Sequence, residues 1–279
     1  MRWRLRWDFA VSWLFPLSEG VDLRNHVRMT TYALHKPRGV LSSVSDPNPL
    51  RRTLTDVMRE ARVAPLPGHV GRLDAETSGL MLVTADSLLL RAVLGWEEVA
   101  QAYGARVVPK VYRLLLAGRH ERDSEKIVML REPLLHQRAG KEYHSDGALV
   151  RHLRCFRDVT LATECDFVDR NDIDNVARER ALLRESRQPA RSRATGELVP
   201  PYVPFDGWLT EVELTISQGR HRQIRRLCKR SGLELRHLRR EAIGPVELGN
   251  LRPGEVRILP ELEKLELYGA CFPNGISRG

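Results

Sequence analysis

A polar decapeptide, Gly71-Arg72-Leu73-Asp74-Ala75-Glu76-Thr77-Ser78-Gly79-Leu80, runs directly into the apolar residues Met81-Leu82-Val83. The run from Leu80 is short, continuously apolar and entered through a glycine, and it reads as a buried strand. A fold built on that strand holds Asp74 where the backbone leaves a loop and enters a core. A group placed there is both fixed and accessible. The same residues also fit a plain polar turn, in which the Asp side chain bonds its own backbone near Thr77 or Ser78. Taken alone, the stretch leaves both readings open.

Around it the chain alternates short elements. Residues 1–30 have no clear period, and Arg2, Arg4 and Arg6 alternate with Trp3, Leu5 and Trp7. This beginning fits an Arg-rich organelle-targeting segment, a ragged tail or an edge strand. Thr31 to Leu41 reads as strand, turn, strand, with Pro37 and Gly39 making the turn and Lys36 and Arg38 projecting from its corner. Leu54 to Arg62 has helical spacing, with Thr53 or Thr55 as cap. Asp86 and Ser87 cap a short helix from Leu88 to Gly95. Lys110 to Gly118 reads as a strand with Tyr112 near its start, where a half-buried packing role is the ordinary one. Residues 160–205 lose apolar periodicity and read as an insertion or mobile surface segment. Order returns with a half-buried strand, Leu209 to Ile216, and a closing segment, Glu261 to Leu267. The division expected is an extension at 1–30, a domain at 31–270 with the insertion at 160–205, and a tail at 271–279.

Between them a helix is expected from about Arg220 to Ser231, stopped by Gly232. Ile224, Leu227, Cys228 and Ser231 form its buried stripe, and Arg222, Arg225, Arg226 and Lys229 its opposite face. Gly219 to Arg240 contains nine basic residues against one acid, Glu234, nearly the whole excess of a chain whose net charge is +9. Solvated faces normally mix signs. A one-sign face beside a glycine turn is better explained by a polyanion held against it. Of the 45 basic residues, 39 are arginine. Arginine grips phosphate at two points, although a compositional bias of the genome gives the same count.

Other chemistries lack their residues. The four cysteines have no CxxC spacing and no zinc-like Cys/His cluster. Metal-dependent nucleases need clustered carboxylates, and the motif offers Asp74 and Glu76 only. There is no phosphate-cradling Gly-rich loop, no Ser-His-Asp arrangement and no run long enough to span a bilayer. What fits is covalent or acid/base work by one Asp on a nucleotide. A paired base must be flipped out to be reached, and an aromatic such as Tyr112 can stack on it. An arginine beside the Asp keeps it ionised.

Four pieces stand in order: His35-Lys36-Pro37-Arg38-Gly39-Val40, the Gly71–Leu80 decapeptide, Lys110-Val111-Tyr112, and Gly219-Arg220-His221-Arg222-Gln223-Ile224-Arg225-Arg226-Leu227. They resemble the motifs of pseudouridine synthases, most closely the RsuA-like branch that modifies ribosomal RNA. His237-Leu238-Arg239-Arg240 and Ile243-Gly244-Pro245 continue the likeness, which covers roughly residues 31–140 and 208–262. The resemblance implies an α/β (α+β) fold: a long mixed, mostly antiparallel sheet flanked by helices, with a catalytic cleft across it. It implies that Asp74 starts glycosidic-bond exchange on a uridine, Tyr112 stacks on the base and moves a proton, Arg225 pairs with Asp74, and Leu238 packs near the base. Arg225 lies at the border of the basic and buried helix faces, from which it can reach inward.

Lys36, Arg72, Lys110, Arg220, Arg222, Gln223, Arg226 and Arg239 are the expected RNA-contacting or site-shaping residues. No metal or organic cofactor is implied. The expected partner is ribosomal RNA or a pre-ribosomal particle, with no membrane and a monomeric enzyme, in the cytoplasm, a mitochondrion or a plastid. A catalytically silent ribosome-assembly factor of the same fold remains the alternative. Many family members carry a small alpha-L RNA-binding domain before the catalytic domain, and residues 1–30 are too short for one.

Overall fold

The computed structural model describes residues 23–138, 141–157, 190–191, 198–199 and 208–275. The elements, in order, are α1 (Leu23–Arg28), β1 (Thr31–Lys36), α2 (Leu54–Glu60), β2 (Gly68–His69), β3 (Ser78–Thr84), α3 (Ser87–Leu94), α4 (Glu97–Tyr103), β4 (Lys110–Ala117) and α5 (Glu125–Val128). They continue with β5 (Leu134–Arg138), β6 (Lys141–Ser145), β7 (Leu149–Arg157), β8 (Ala190–Arg191), β9 (Leu198–Val199), β10 (Trp208–Ile216), α6 (Gln223–Arg230), β11 (Leu235–Ile243), β12 (Val246–Glu247), β13 (Val256–Ile258) and α7 (Glu261–Cys271). The expected N-terminal segment to residue 22 and nearly all of the 160–205 insertion lie outside the described residues.

One sheet organises the chain, in the order β13-β1-β3-β11-β4-β10-β7. Its pairings are antiparallel except at one seam, where β3 runs parallel to β11 with Ser78 opposite Arg239 and Gly79 opposite Arg240. The seam is tight. A Cβ on Gly79 would stand 2.3 Å from the Arg240 carbonyl oxygen, and its φ is +111°. Only glycine meets both demands.

β3 is buried along its whole length and apolar from Leu80 to Val83, because both its faces are covered. Met81 and Val83 join a core with Leu54, Val57 and Met58 of α2 and Ile224 and Leu227 of α6. Leu80 and Leu82 join the opposite core with Leu89, Ala92 and Val93 of α3 and Leu265, Leu267 and Tyr268 of α7. Each Leu, Ile, Val or Met side chain among them, once buried, contributes roughly 1.5–3 kcal/mol.

Caps fix the helix starts. Asp56 Oδ2 accepts from the Thr53 nitrogen at 2.8 Å in front of α2. Asp86 accepts from the nitrogens of Leu88 and Leu89 in front of α3, and Gly95 closes that helix in the left-handed conformation.

Some expectations need correction. The segment after Pro37 is not a strand: Leu41 makes only an isolated bridge to Thr53. Lys36 does not project from the corner but is fully buried. β10 alternates as expected only from Val212 to Ile216; Leu209 to Val212 are all buried, with Glu211 held beside Arg113 and Arg154. Packed chain also continues past the expected tail boundary, with Cys271 and Phe272 in the core.

Candidate active site

Asp74 rides on a loop clamped from several sides. Ser42 Oγ donates to the Leu73 carbonyl at 2.8 Å and accepts from the Leu73 nitrogen at 3.0 Å. His69 Nδ1 donates to the Gly71 carbonyl at 2.8 Å. The Gly39 nitrogen donates to the Ala75 carbonyl at 2.7 Å, and the Thr77 nitrogen closes the turn onto the Asp74 carbonyl at 3.0 Å. The backbone makes the turn, and the Asp74 carboxylate is left for other work.

It meets two guanidiniums. Asp74 Oδ2 lies 3.3 Å from Arg225 Nε and 3.8 Å from Arg222 Nη1, with the carboxylate side chain 22% exposed. Arg225 is braced in turn by Glu76 at 3.3 Å and by Thr77 Oγ1, to which its Nη2 donates at 3.1 Å. Arg222 precedes α6 with φ +52°, a conformation non-glycine residues avoid at roughly 1–2 kcal/mol. Backbone strain of this kind gathers at functional sites. Here it turns the Arg222 side chain toward the loop that carries Asp74.

These groups border a cavity of about 990 Å³ at the seam of the sheet. Tyr112 from β4 and Leu238 from β11 line it and belong to the core packed under α6. Arg72, Lys110, Arg220, Arg222, Gln223 and Arg225 also line it, and Asp74 is the one carboxylate among the described lining residues. Gln223 ties its loop to the turn between β6 and β7: its Oε1 accepts from the Arg220 nitrogen and its Nε2 donates to the Asp146 carbonyl.

Three expected residues stand elsewhere. The Lys36 Nζ is sealed behind the Asp74 loop and donates to the carbonyls of Pro37 and Val40 at 2.8 Å and of Ala75 at 3.5 Å. Burial pushes its pKa down to about 7, with Asp74 acting in the opposite sense. Its place is that of a support for the loop. Arg239 is buried and paired with Glu241 at 2.7 Å, and it does not line the cavity. Arg226 also lies outside the lining, with Nη2 3.3 Å from His221 Nδ1.

Arg240, by contrast, lines the cavity while only 1% exposed. In the sequence it is one more arginine of the basic run. Strand alternation held the signal: once Leu238 points to the site, Arg240 does too, and Arg239 does not. Ser42 and His69 had no such signal, because they act through contacts distant in sequence or through the backbone.

A family model described as RNA pseudouridylate synthase matches residues 30–230. An uncharacterized RNA pseudouridine synthase of Mycobacterium bovis is 29% identical over 239 residues, 85% of this chain and 68% of that protein. A ribosomal large subunit pseudouridine synthase E of Xanthomonas campestris is 30% identical over 230 residues, 81% of this chain and 92% of that protein. Among solved structures, a crystal structure of a pseudouridylate synthase superposes with a TM-score of 0.51 at 21% identity, covering 86% of this chain and 74% of that one, a likeness of fold.

Proposed function

As the chain belongs to the RNA pseudouridylate synthase family, we propose that it isomerises one uridine of ribosomal RNA, with Asp74 as the group that starts the exchange. The pairing of Asp74 with Arg225 and Arg222 at the cavity carries this reading. In the reaction the N1–C1′ bond of uridine breaks and a C5–C1′ bond forms. A proton leaves C5 and one is added at N1, so the composition is unchanged.

Each residue has a part. The Asp74 carboxylate acts on the flipped nucleotide, and the two guanidiniums orient it and balance its charge. Tyr112 stacks on the uracil ring and takes part in moving the C5 proton. Leu238 gives the ring an apolar bed and keeps water from it. Arg72, Arg220 and Arg222 hold the RNA strand around the base. The choice of ribosomal RNA is supported by relatives named for the large ribosomal subunit. The substrate is that RNA, free or in a pre-ribosomal particle, and the enzyme works as a monomer.

The test is to map pseudouridines in ribosomal RNA from cells with and without this protein. One site should revert to uridine on deletion and return with the wild-type gene. An unchanged ribosomal map, with a lost site in another RNA, would overturn the choice of substrate.

A further inference from the structure

The cavity exceeds what a single uracil ring requires. At about 990 Å³ it sits at the top of the roughly 300–1,000 Å³ range of small-ligand sites. Asp74, its one described carboxylate, is engaged by Arg225 and Arg222. Two further cations line it: Arg240, whose Nη1 flanks Gly71 together with Leu94, and Lys110, bonded to the Val93 and Val108 carbonyls next to Leu94 and Val107.

Both are desolvated, at 5% and 1% exposure, and both have a donor to spare. Arg240 Nε donates to the Leu80 carbonyl at 2.7 Å, and Nη2 contacts Met81 Sδ at 2.9 Å. Nη1 takes part in neither of these contacts and lies 3.9 Å from where a Cβ on Gly71 would stand, on the cavity wall. Lys110 Nζ donates to the carbonyls of Val108 at 3.1 Å and Val93 at 3.5 Å. An ammonium has three protons, so one is left for a ligand.

Burial pushes the Lys110 ammonium down to about 8, the positive charge of Arg240 acts in the same direction, and Cys271 opposes them more weakly. Two buried like charges with spare donors are costly until an anion joins them. A neutral carbonyl satisfies one donor but leaves the repulsion. A phosphodiester offers charge and two oxygens, and it necessarily flanks any flipped nucleotide.

Resting on the reading that the cavity receives the target nucleotide, we propose that Lys110 and Arg240 form a phosphate subsite at the Leu94–Val107 end of the cavity, gripping a backbone phosphate of that nucleotide. The subsite fixes how deep the nucleotide enters, and so places its C1′ relative to Asp74.

Binding of uridine and of uridine 3′,5′-bisphosphate, measured by calorimetry at low salt, tests this without any chemistry. The wild type should bind the bisphosphate at least about ten-fold more tightly than uridine. Lys110→Met and Arg240→Met should each erase most of that preference, and Lys110→Arg should keep it. Lys110→Met retains the stem of the side chain, so it separates loss of charge from loss of fold if Arg240→Met does not fold. An undiminished preference in Lys110→Met, or no preference or no binding of the bisphosphate in the wild type at millimolar concentration, overturns the subsite. The preference should persist in Asp74→Asn, so a failed subsite and a failed catalytic assignment are told apart.

Discussion

Arg225 joins three residues of the site. It touches Asp74, Glu76 and Thr77 at once, so it holds the carboxylate and the flank of the loop that follows it. If the pair works on the developing charge of the reaction, Arg225→Met should lower kcat about 100-fold or more with a much smaller change in KM. Arg225→Lys should recover part of the loss, and a change confined to KM would reassign Arg225 to substrate binding. Gly79 makes a different kind of prediction, about the fold. With the Arg240 backbone 2.3 Å from the position of a Cβ and φ at +111°, Gly79→Ala should cost at least about 3 kcal/mol in urea unfolding. A loss under about 1 kcal/mol would mean that the seam yields easily.

At the scale of elements, α6 and the loop before it divide their basic residues by task. Arg230 spends its guanidinium on the carbonyls of Met129, Glu132 and Pro133, and so ties the helix to the turn after α5. Arg220 and Arg222 stay exposed beside the cavity. Neutralising Arg220 and Arg222 together should make the salt dependence of RNA binding shallower, by about 0.7 per lost phosphate contact on a log–log plot. Arg230→Ala should leave that slope alone and lower the melting temperature. The reverse pattern would contradict the division. The sequence could not make this division, because all three residues are arginines in one basic run.

What was legible were the elements whose local rules agree. β3 showed as an apolar run, α2 and α3 as capped periodic segments, and α6 as a stripe of Ile224, Leu227 and Cys228. What was hidden depends on partners far along the chain. No local signal says that Ser78 lies beside Arg239, that Lys36 turns in to hold a loop near residue 75, or that Leu41 meets Thr53 by a single bridge.

Across the whole molecule, the two sheet halves meet at one parallel seam, and buried cations collect there. This links stability to pH. The folded chain lowers Lys36 to about 7 and Lys110 to about 8 from an ordinary 10.5. Between about pH 7 and pH 9 the unfolded chain therefore binds more protons, and stability rises with pH. Above that window the effect is opposed, because burial pushes the Cys228 and Cys271 thiols up to about 12 from 9.0, so they ionise first in the unfolded chain. Urea midpoints should climb from pH 7 to pH 9 in the wild type and flatten in Lys36→Met and Lys110→Met. A flat wild-type profile would remove the linkage. The seam also brings Asp74, Tyr112, Arg225 and Leu238 to one cavity from four separate segments, and the proposed chemistry depends on that convergence. Its most direct test is release of tritium from ribosomal RNA labelled at uridine C5, followed with purified wild-type and Asp74→Asn protein while RNA binding is measured in parallel. Wild type should release the label, and Asp74→Asn should release none while still binding the RNA. Release by Asp74→Asn at the wild-type rate would contradict the account.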